Sequence, residues 1–448
     1  FGKTKAEGTG ESFRIKRKVI MRGQYRKVDE RTGKILFWLS WLVYFSSYLG
    51  RLNYSSAMSS IMVDGILTRS QAGAISMAYF FAYGIGQLCN GILGDRWKPE
   101  NMVFFGLSGA GVVNCLMGFA GRFPEMIMLW GINGYLQSMI WPPLIRIFAE
   151  RYTEDRKMKY IVDIASSMAI GTLMSYFLSA GAMKLWGWKA VFFTAAGVML
   201  PLAILWMFGF RWINRVSGNG EDIFGEGTTV IAEKQTKTVH EKERVSFAYL
   251  LKISGLLMIL FPVWIHGMLK DGVTQWVPTY ICDSYDVSAS FSVIMTMILP
   301  VINLSGAYLA RFVQKKRPDR EMENSAIFFA VATIALAGLL LLNGVNAILS
   351  ILLFAVITSS MLAVNTLYIS MIPMHFESLG RVSTVSGFLN AMAYIGSAVS
   401  TFTIGVMVEK NGWNMTIMGW ILLTAAALVI AAGLKRKTFC ADTVSESH

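Results

Sequence analysis

The sequence predicts an all-α membrane protein, with twelve transmembrane helices in two pseudo-symmetric six-helix bundles. Three observations carry that expectation. Of 448 residues, 54% are hydrophobic and only 15% charged, with mean hydropathy +0.48, whereas soluble chains carry nearer a quarter charged residues. Apolar runs long enough to cross a bilayer recur from end to end. The longest polar stretch between them, RWINRVSGNGEDIFGEGTTVIAEKQTKTVHEKERVS at 211–246, divides the runs six and six.

Taken in order, residues 1–34 are a polar N-terminal tail whose opening, FGKTKAEGTGESFRIKRK, has the composition of a disordered segment. No apolar signal-peptide core occurs in the first 30 residues. The N-terminal bundle covers 35–210, with spans at 35–57, 71–93, 102–121, 124–148, 161–184 and 187–210. A linker at 211–248 follows. The C-terminal bundle covers 249–434, with spans at 249–270, 288–312, 324–343, 347–373, 383–407 and 413–434, and 435–448 form a polar tail. Loops within each bundle are short, so successive helices are expected to be antiparallel neighbours.

The formal charge of +13 would suggest nucleic acid in a soluble protein. Here it sorts by face instead. Of 41 Lys and Arg, 33 fall in the tails, the linker and the loops on their side, and five (Arg69, Arg122, Lys184, Lys189, Lys410) on the other. The positive-inside rule then places both termini and the linker in the cytoplasm of an inner-membrane protein, attracted to anionic lipid, with no nucleic-acid partner. Cys89, Cys115, Cys282 and Cys440 are scattered, without metal-ligand spacing. No metal cluster, nucleophile triad or Gly-rich phosphate loop points to an enzyme, and no cofactor or metal is expected.

Arg51 raises the functional question. It interrupts ILFWLSWLVYFSSYLGRLNYSSAM about 16 residues, or roughly 24 Å, into the first span. A guanidinium at that depth costs several kcal/mol or more. Tyr44, Ser47, Tyr48, Arg51, Tyr54 and Ser55 form one helical stripe, and Ser76, Tyr79, Tyr83 and Gln87 another in the second span. Span ten offers Thr358, Asn365 and Tyr368; span eleven offers Ser386, Asn390, Tyr394 and Ser397. Such stripes face other helices or water rather than lipid; for a single Ser or Asn, interhelical hydrogen bonding is the simpler reading. The seventh span, symmetry mate of the first, carries Lys270 near its predicted end, with His266 before it and Asp271 after. Arg51 and Lys270 lie 219 positions apart. Two cations from opposite halves, meeting in a wet cavity, would form an anion site.

The six-plus-six layout around a linker is that of the major facilitator fold. The loop G91-I-L-G-D95-R96 resembles its G-x-L-x-D-R loop, which makes Asp95 and Arg96 candidates for a cytoplasmic gate. G306-A-Y-L-A310-R311 in the other half has Ala where Asp belongs. YLGRLNYSSAM, GYLQSMIWPPLIR (134–146), KDGVTQWVPTYI (270–281) and the NGWN segment resemble the organophosphate:phosphate antiporters, which include bacterial glycerol-3-phosphate and hexose-phosphate transporters.

That resemblance implies phosphate binding by Arg51. It places Lys270 where the family usually has a second arginine, and Tyr44, Tyr48, Tyr83, Gln137, Trp141 and Tyr394 at cavity-lining positions. The implied activity is exchange of a phosphorylated metabolite for inorganic phosphate by rocking of the two halves. The chain departs from the pattern at Lys270, which replaces a planar fork with a point charge. It also departs at Leu52, Gln87 and Ala169, where glycerol-phosphate members have two lysines and a histidine. With fewer cations, and with His266 and Asp271 able to carry a proton, a proton-coupled symporter of a sugar acid or other carboxylate is the alternative. A transporter-like sugar-phosphate sensor ranks third. A monomer is expected.

Overall fold

The computed structural model describes residues 27–93, 97–153, 156, 159–160, 163–218, 256–376 and 382–434. Among them every regular element is helical. Span one is the helix Glu30–Val63. It begins five residues earlier than expected because the Asp29 carboxylate accepts from the backbone N–H of Arg31 at 3.1 Å and of Thr32 at 3.4 Å, capping it. Spans two and three are Arg69–Leu93 and Pro99–Phe119.

Span four is broken. Phe123–Gln137 and Trp141–Arg151 are separate helices, because Pro142 and Pro143 have no N–H to offer the carbonyls four residues earlier. Spans five and six are Ala165–Trp186 and Trp188–Val216.

Span seven corrects an expectation. Its helix Leu260–Gly267 continues through a π-helical turn, Met268–Val273, into Thr274–Tyr285. Lys270 therefore sits in the middle of the span and not near its end. The polar run from Lys270 to Gln275 looks like a membrane boundary in sequence but lies inside the bundle. Span eight is Ala289–Thr296 followed by Ile298–Lys316, interrupted where Pro300 cannot donate to Thr296. Span nine is Glu321–Leu341, and span ten is Ala347–Asn365 extended by π- and 3₁₀-helical turns to Phe376.

The last helical stretch, Val382–Gly433, is two helices meeting at Gly412, which has φ 75° and ψ 179°. Gly187, between spans five and six, has φ 79° and ψ 177°. Only glycine adopts that conformation without strain. Each glycine precedes a tryptophan whose indole N–H donates to an aspartate: Trp188 to Asp64 at 2.9 Å, Trp413 to Asp283 at 3.2 Å. Asp64 and Asp283 are 219 positions apart, the separation of Arg51 and Lys270. The pseudo-two-fold relation of the halves is thus visible residue by residue. Among the described residues, eight helical stretches are long and apolar enough to cross a membrane. Adding the split or more polar spans four, five and seven, and counting Gly412 as a turn, is consistent with twelve.

Large apolar side chains such as Trp38, Phe177, Ile334 and Leu341 point outward, as a lipid-facing surface requires. The two halves are sealed together at the face opposite the termini. Ser55 Oγ donates to the Gln275 carbonyl at 2.7 Å, and Ser59 and Thr279 hydroxyls lie 3.1 Å apart. Arg69 pairs with Asp283 at 2.9 Å, and Glu409 accepts from both the backbone N–H and the hydroxyl of Ser70 at 2.7 Å.

Candidate substrate site

Span one is held at fixed depth just where Arg51 leaves it. The Gly50 carbonyl accepts side-chain amide N–H groups from Asn133 at 2.9 Å and Asn114 at 3.3 Å, and Asn53 donates to Asn114 at 2.7 Å. These three asparagines tie spans one, three and four together. Their positioning role is hidden in the sequence because a lone Asn in an apolar run shows no periodic signal. In the other half, spans seven and eleven meet backbone to backbone. A Cβ on Gly267 would stand 2.0 Å from the Ala393 carbonyl oxygen, and one on Gly396 would stand 2.3 Å from that of Trp264. Close approach at these two glycines sets Lys270 beside Tyr394.

Between the halves, Arg51 is enclosed by tyrosines. Its guanidinium carbon lies 5.6 Å from the Tyr48 ring centre, 6.0 Å from Tyr79, 5.0 Å from Tyr83 and 5.8 Å from Tyr394. Each cation–π contact is worth about 0.5–2 kcal/mol, and together they offset part of the desolvation cost. Among the described residues, no carboxylate is within ion-pair distance of Arg51. Tyr79 lies on the polar stripe of span two, but only the fold shows it closing this cage.

Lys270 Nζ reaches the same Tyr394 ring at 5.7 Å. One tyrosine on span eleven therefore faces cations from both halves. Lys270 also pairs with Asp271, Nζ to Oδ2 2.9 Å, with the two side chains 20% and 18% exposed. Consecutive residues on an α-helix diverge by about 100°; these two meet inside a π-helical turn, a feature frequent at functional sites. Ser397 Oγ lies 3.3 Å from the Asp271 carboxylate and 2.9 Å from the Gly267 carbonyl, able to donate to either.

The other candidates divide. Tyr44 joins the cluster through its hydroxyl, 3.4 Å from that of Tyr48, and through its ring, 4.6 Å from that of Trp141. Tyr83 and Tyr394 rings are 4.8 Å apart. Gln137 is buried with its Nε2 unsatisfied, one turn before Trp141 across the break in span four. His266 is fully buried; its Nδ1 lies 3.3 Å from its own helix's Val263 carbonyl and its ring meets Tyr368 edge-on. Its Nε2 has Asn365 as neighbour without a well-formed hydrogen bond. Asn365 is half-buried at the entry to the π-helical turn of span ten. Asp95 and Arg96 lie outside the described residues. Arg146 bonds Glu150 at 2.7 Å and the Trp97 carbonyl at 3.1 Å.

Chemically, the arrangement offers one fork of guanidinium donors, one ammonium, several hydroxyls and aromatic faces, with no group placed as a nucleophile. Such a set of groups is chemically suited to an anion bearing a polar or ring-shaped body.

Comparison with known proteins bears on the family and the fold. The chain is 21% identical over 414 residues to a "Probable hexose phosphate transport protein" of Chlamydia trachomatis, covering 88% of this chain and 89% of that one. It is 20% identical to the "Membrane sensor protein UhpC" of Escherichia coli K12, covering 91% and 92%. A bacterial homologue of the human lysosomal transporter Spinster, solved in an inward-facing and unoccupied conformation, shares the fold with TM-score 0.74 at 13% identity, covering 92% of this chain and 98% of that one. The Major Facilitator Superfamily description matches residues 40–401. The chain belongs to the Major Facilitator Superfamily and is a membrane transporter-family protein, not an enzyme.

Proposed function

We propose that the protein is a secondary active transporter of small organic anions, phosphorylated metabolites of the sugar-phosphate or glycerol-3-phosphate type, exchanged for inorganic phosphate. The observation that carries this reading is Tyr394, whose ring faces Arg51 from one half and Lys270 from the other. An anion at that point would touch both halves, so its binding would couple to their relative motion. The relative named for hexose phosphate transport supports the substrate class.

The same arrangement supports alternating access. The halves are sealed at the face carrying Arg69, Asp283 and Glu409, so the site would open toward the termini, which the charge distribution assigns to the cytoplasm. Closing there and opening the seal would carry the anion across. Asp95 and Arg96 fit the role of the cytoplasmic latch in that cycle, and the protein would act as a monomer.

Proton-coupled symport of a carboxylate is the second reading, favoured by the Lys270–Asp271 pair, which could exchange a proton as substrate binds. His266 fits that role less well, because it is fully buried, with Nδ1 against its own helix's Val263 carbonyl and its ring against Tyr368. Reconstitution into liposomes separates the readings. An antiporter takes up labelled hexose phosphate only against internal phosphate. A symporter needs an inward proton gradient and no internal anion. A sensor binds the sugar phosphate but moves little. Uptake that ignores internal phosphate would overturn the exchange proposal.

A further inference from the structure

Asp271 is an odd residue to find in an anion site. It lies within the bundle, 2.9 Å from Lys270, on the side of span seven that meets Tyr394 and Ser397. Among the described residues, the charged or titratable groups within reach of it are Lys270 and His266 on its own span and Arg51 on span one; span eleven contributes only the Ser397 hydroxyl and the Tyr394 ring. His266 is enclosed and bonded to its own helix, so it adds no charge to the open part of the site. The charges that face the centre are therefore two cations and one carboxylate, a net of one positive charge.

That count has a consequence for what the site accepts. A singly charged anion beside Arg51 and Lys270 leaves the centre neutral. A doubly charged one leaves an excess negative charge in a place shielded by tyrosine rings, with the Asp271 carboxylate a few ångströms away. Two unit charges a few ångströms apart in such surroundings interact strongly enough to change affinity by tenfold or more.

We propose that Asp271 is the charge-selecting residue of the anion site, a tethered counter-anion that makes the site take its substrate in singly charged form. The inference rests on the anion-site reading above and narrows it. Carboxylates, sulfonates and the monoanion of a phosphate ester are admitted, and the dianion is held off by Asp271. The ion pair also gives Lys270 a partner when no substrate is present, so the ammonium is never buried alone.

The test uses two isosteric probes, methyl sulfate and methyl phosphate, binding to the purified full chain at pH 8. Methyl sulfate is a monoanion there, and methyl phosphate, with a second pKa near 6, is mostly a dianion. The wild type is expected to bind methyl sulfate about tenfold more tightly. Asp271→Asn should erase or reverse the order, tightening methyl phosphate at least about tenfold more than it tightens methyl sulfate, because the lost carboxylate repels a dianion about twice as strongly as a monoanion. The double variant Lys270→Gln/Asp271→Asn restores a net single charge through Arg51. It should therefore return to the wild-type order at lower affinity, which guards against a general effect of losing the carboxylate.

If both probes bind and their order is the same in wild type and Asp271→Asn, the charge-selecting role is wrong while the anion site stands. The role is equally wrong if the double variant behaves like Asp271→Asn. If neither probe binds the wild type, the anion-site reading itself fails, and this inference with it.

Discussion

Replacing Glu409 by glutamine should loosen the seal at the face opposite the termini. The Glu409 carboxylate sits at the end of span eleven and accepts two hydrogen bonds, both 2.7 Å, from the backbone N–H and hydroxyl of Ser70. Ser70 is in the first turn of span two, so the carboxylate also meets the positive end of that helix. Hydrogen bonds to a charged group are worth about 1.5–3 kcal/mol each when shielded, but Glu409 is exposed and solvent screening discounts them. A loss of about 1 kcal/mol for the pair is a reasonable measure, which corresponds to about a fivefold shift toward the open seal.

The reporter is a cysteine at Ser76, which is fully buried on span two between the seal and the tyrosine cage, in a background lacking the native cysteines. A membrane-impermeant thiol reagent applied from outside should label it about fivefold faster in Glu409→Gln than in wild type, with Lys410→Gln as a control for charge alone. The hydrogen bonds from Ser70 hold the Glu409 carboxyl below its ordinary range. Its contribution is therefore complete above pH 4.5 and lost as pH falls through the lowered value, so acid should carry the wild type toward the variant. An unchanged labelling rate in Glu409→Gln would refute the seal.

Three further outcomes follow from the same contacts. Lys270→Arg should hold or raise affinity for a phosphate ester by restoring a fork of donors, unless Asp271 captures it; exchange that survives without pH dependence supports antiport, and loss of gradient-driven uptake supports symport. Gly396→Ala places a Cβ 2.3 Å from the Trp264 carbonyl oxygen, so spans seven and eleven must part; a loss of about 1–3 kcal/mol should appear as a lower unfolding temperature, and an unshifted one would show that the helices do not depend on that contact. His375 and Glu321 pair at 3.2 Å at the ends of spans ten and nine. The partner raises the imidazole above its ordinary 6.5, and Glu321, despite burial, is held below its usual value by the His375 hydrogen bond. The pair stabilises between those limits. Its imidazole part is full below pH 6.5 and lost as pH rises through the raised value; its carboxylate part is lost as pH falls through the lowered one. Thermal unfolding of His375→Gln against wild type should differ by about 1 kcal/mol near pH 6, and the difference should shrink as pH rises through the raised imidazole value.

Most of the architecture was legible because the bilayer leaves few choices. Apolar length, the charge asymmetry and the polar stretch at 211–246 suffice for two bundles, and Arg51 announces itself as a guanidinium in an apolar run. Tyr48, Tyr83 and Tyr394 were reachable from helical spacing and resemblance, and they do stand around Arg51. What spacing could not show is anything that depends on departures from the regular α-helix. The π-helical turn 268–273 brings the neighbours Lys270 and Asp271 to one place, and it moves Lys270 from the predicted end of its span to the middle. Residues that act through a backbone carbonyl, such as Asn114 and Asn133 on Gly50, carry no signature of their partner in sequence. Pairing across 219 positions, as between Asp64 and Asp283, becomes meaningful only once Trp188 and Trp413 are seen to bond them.

Everything proposed for the site depends on Arg51 acting as the anion-binding cation between the two halves. The most direct measurement is the ligand-dependent rise in unfolding temperature of purified wild type, Arg51→Lys and Arg51→Ala, titrated with inorganic phosphate and with hexose phosphate. All three should unfold cooperatively at similar temperatures without ligand, because no carboxylate among the described residues pairs with Arg51. The wild type should be stabilised by both anions, Arg51→Lys should need higher concentrations for the same shift, and Arg51→Ala should show none. An Arg51→Ala protein stabilised as the wild type is, at the same concentrations, would contradict the account.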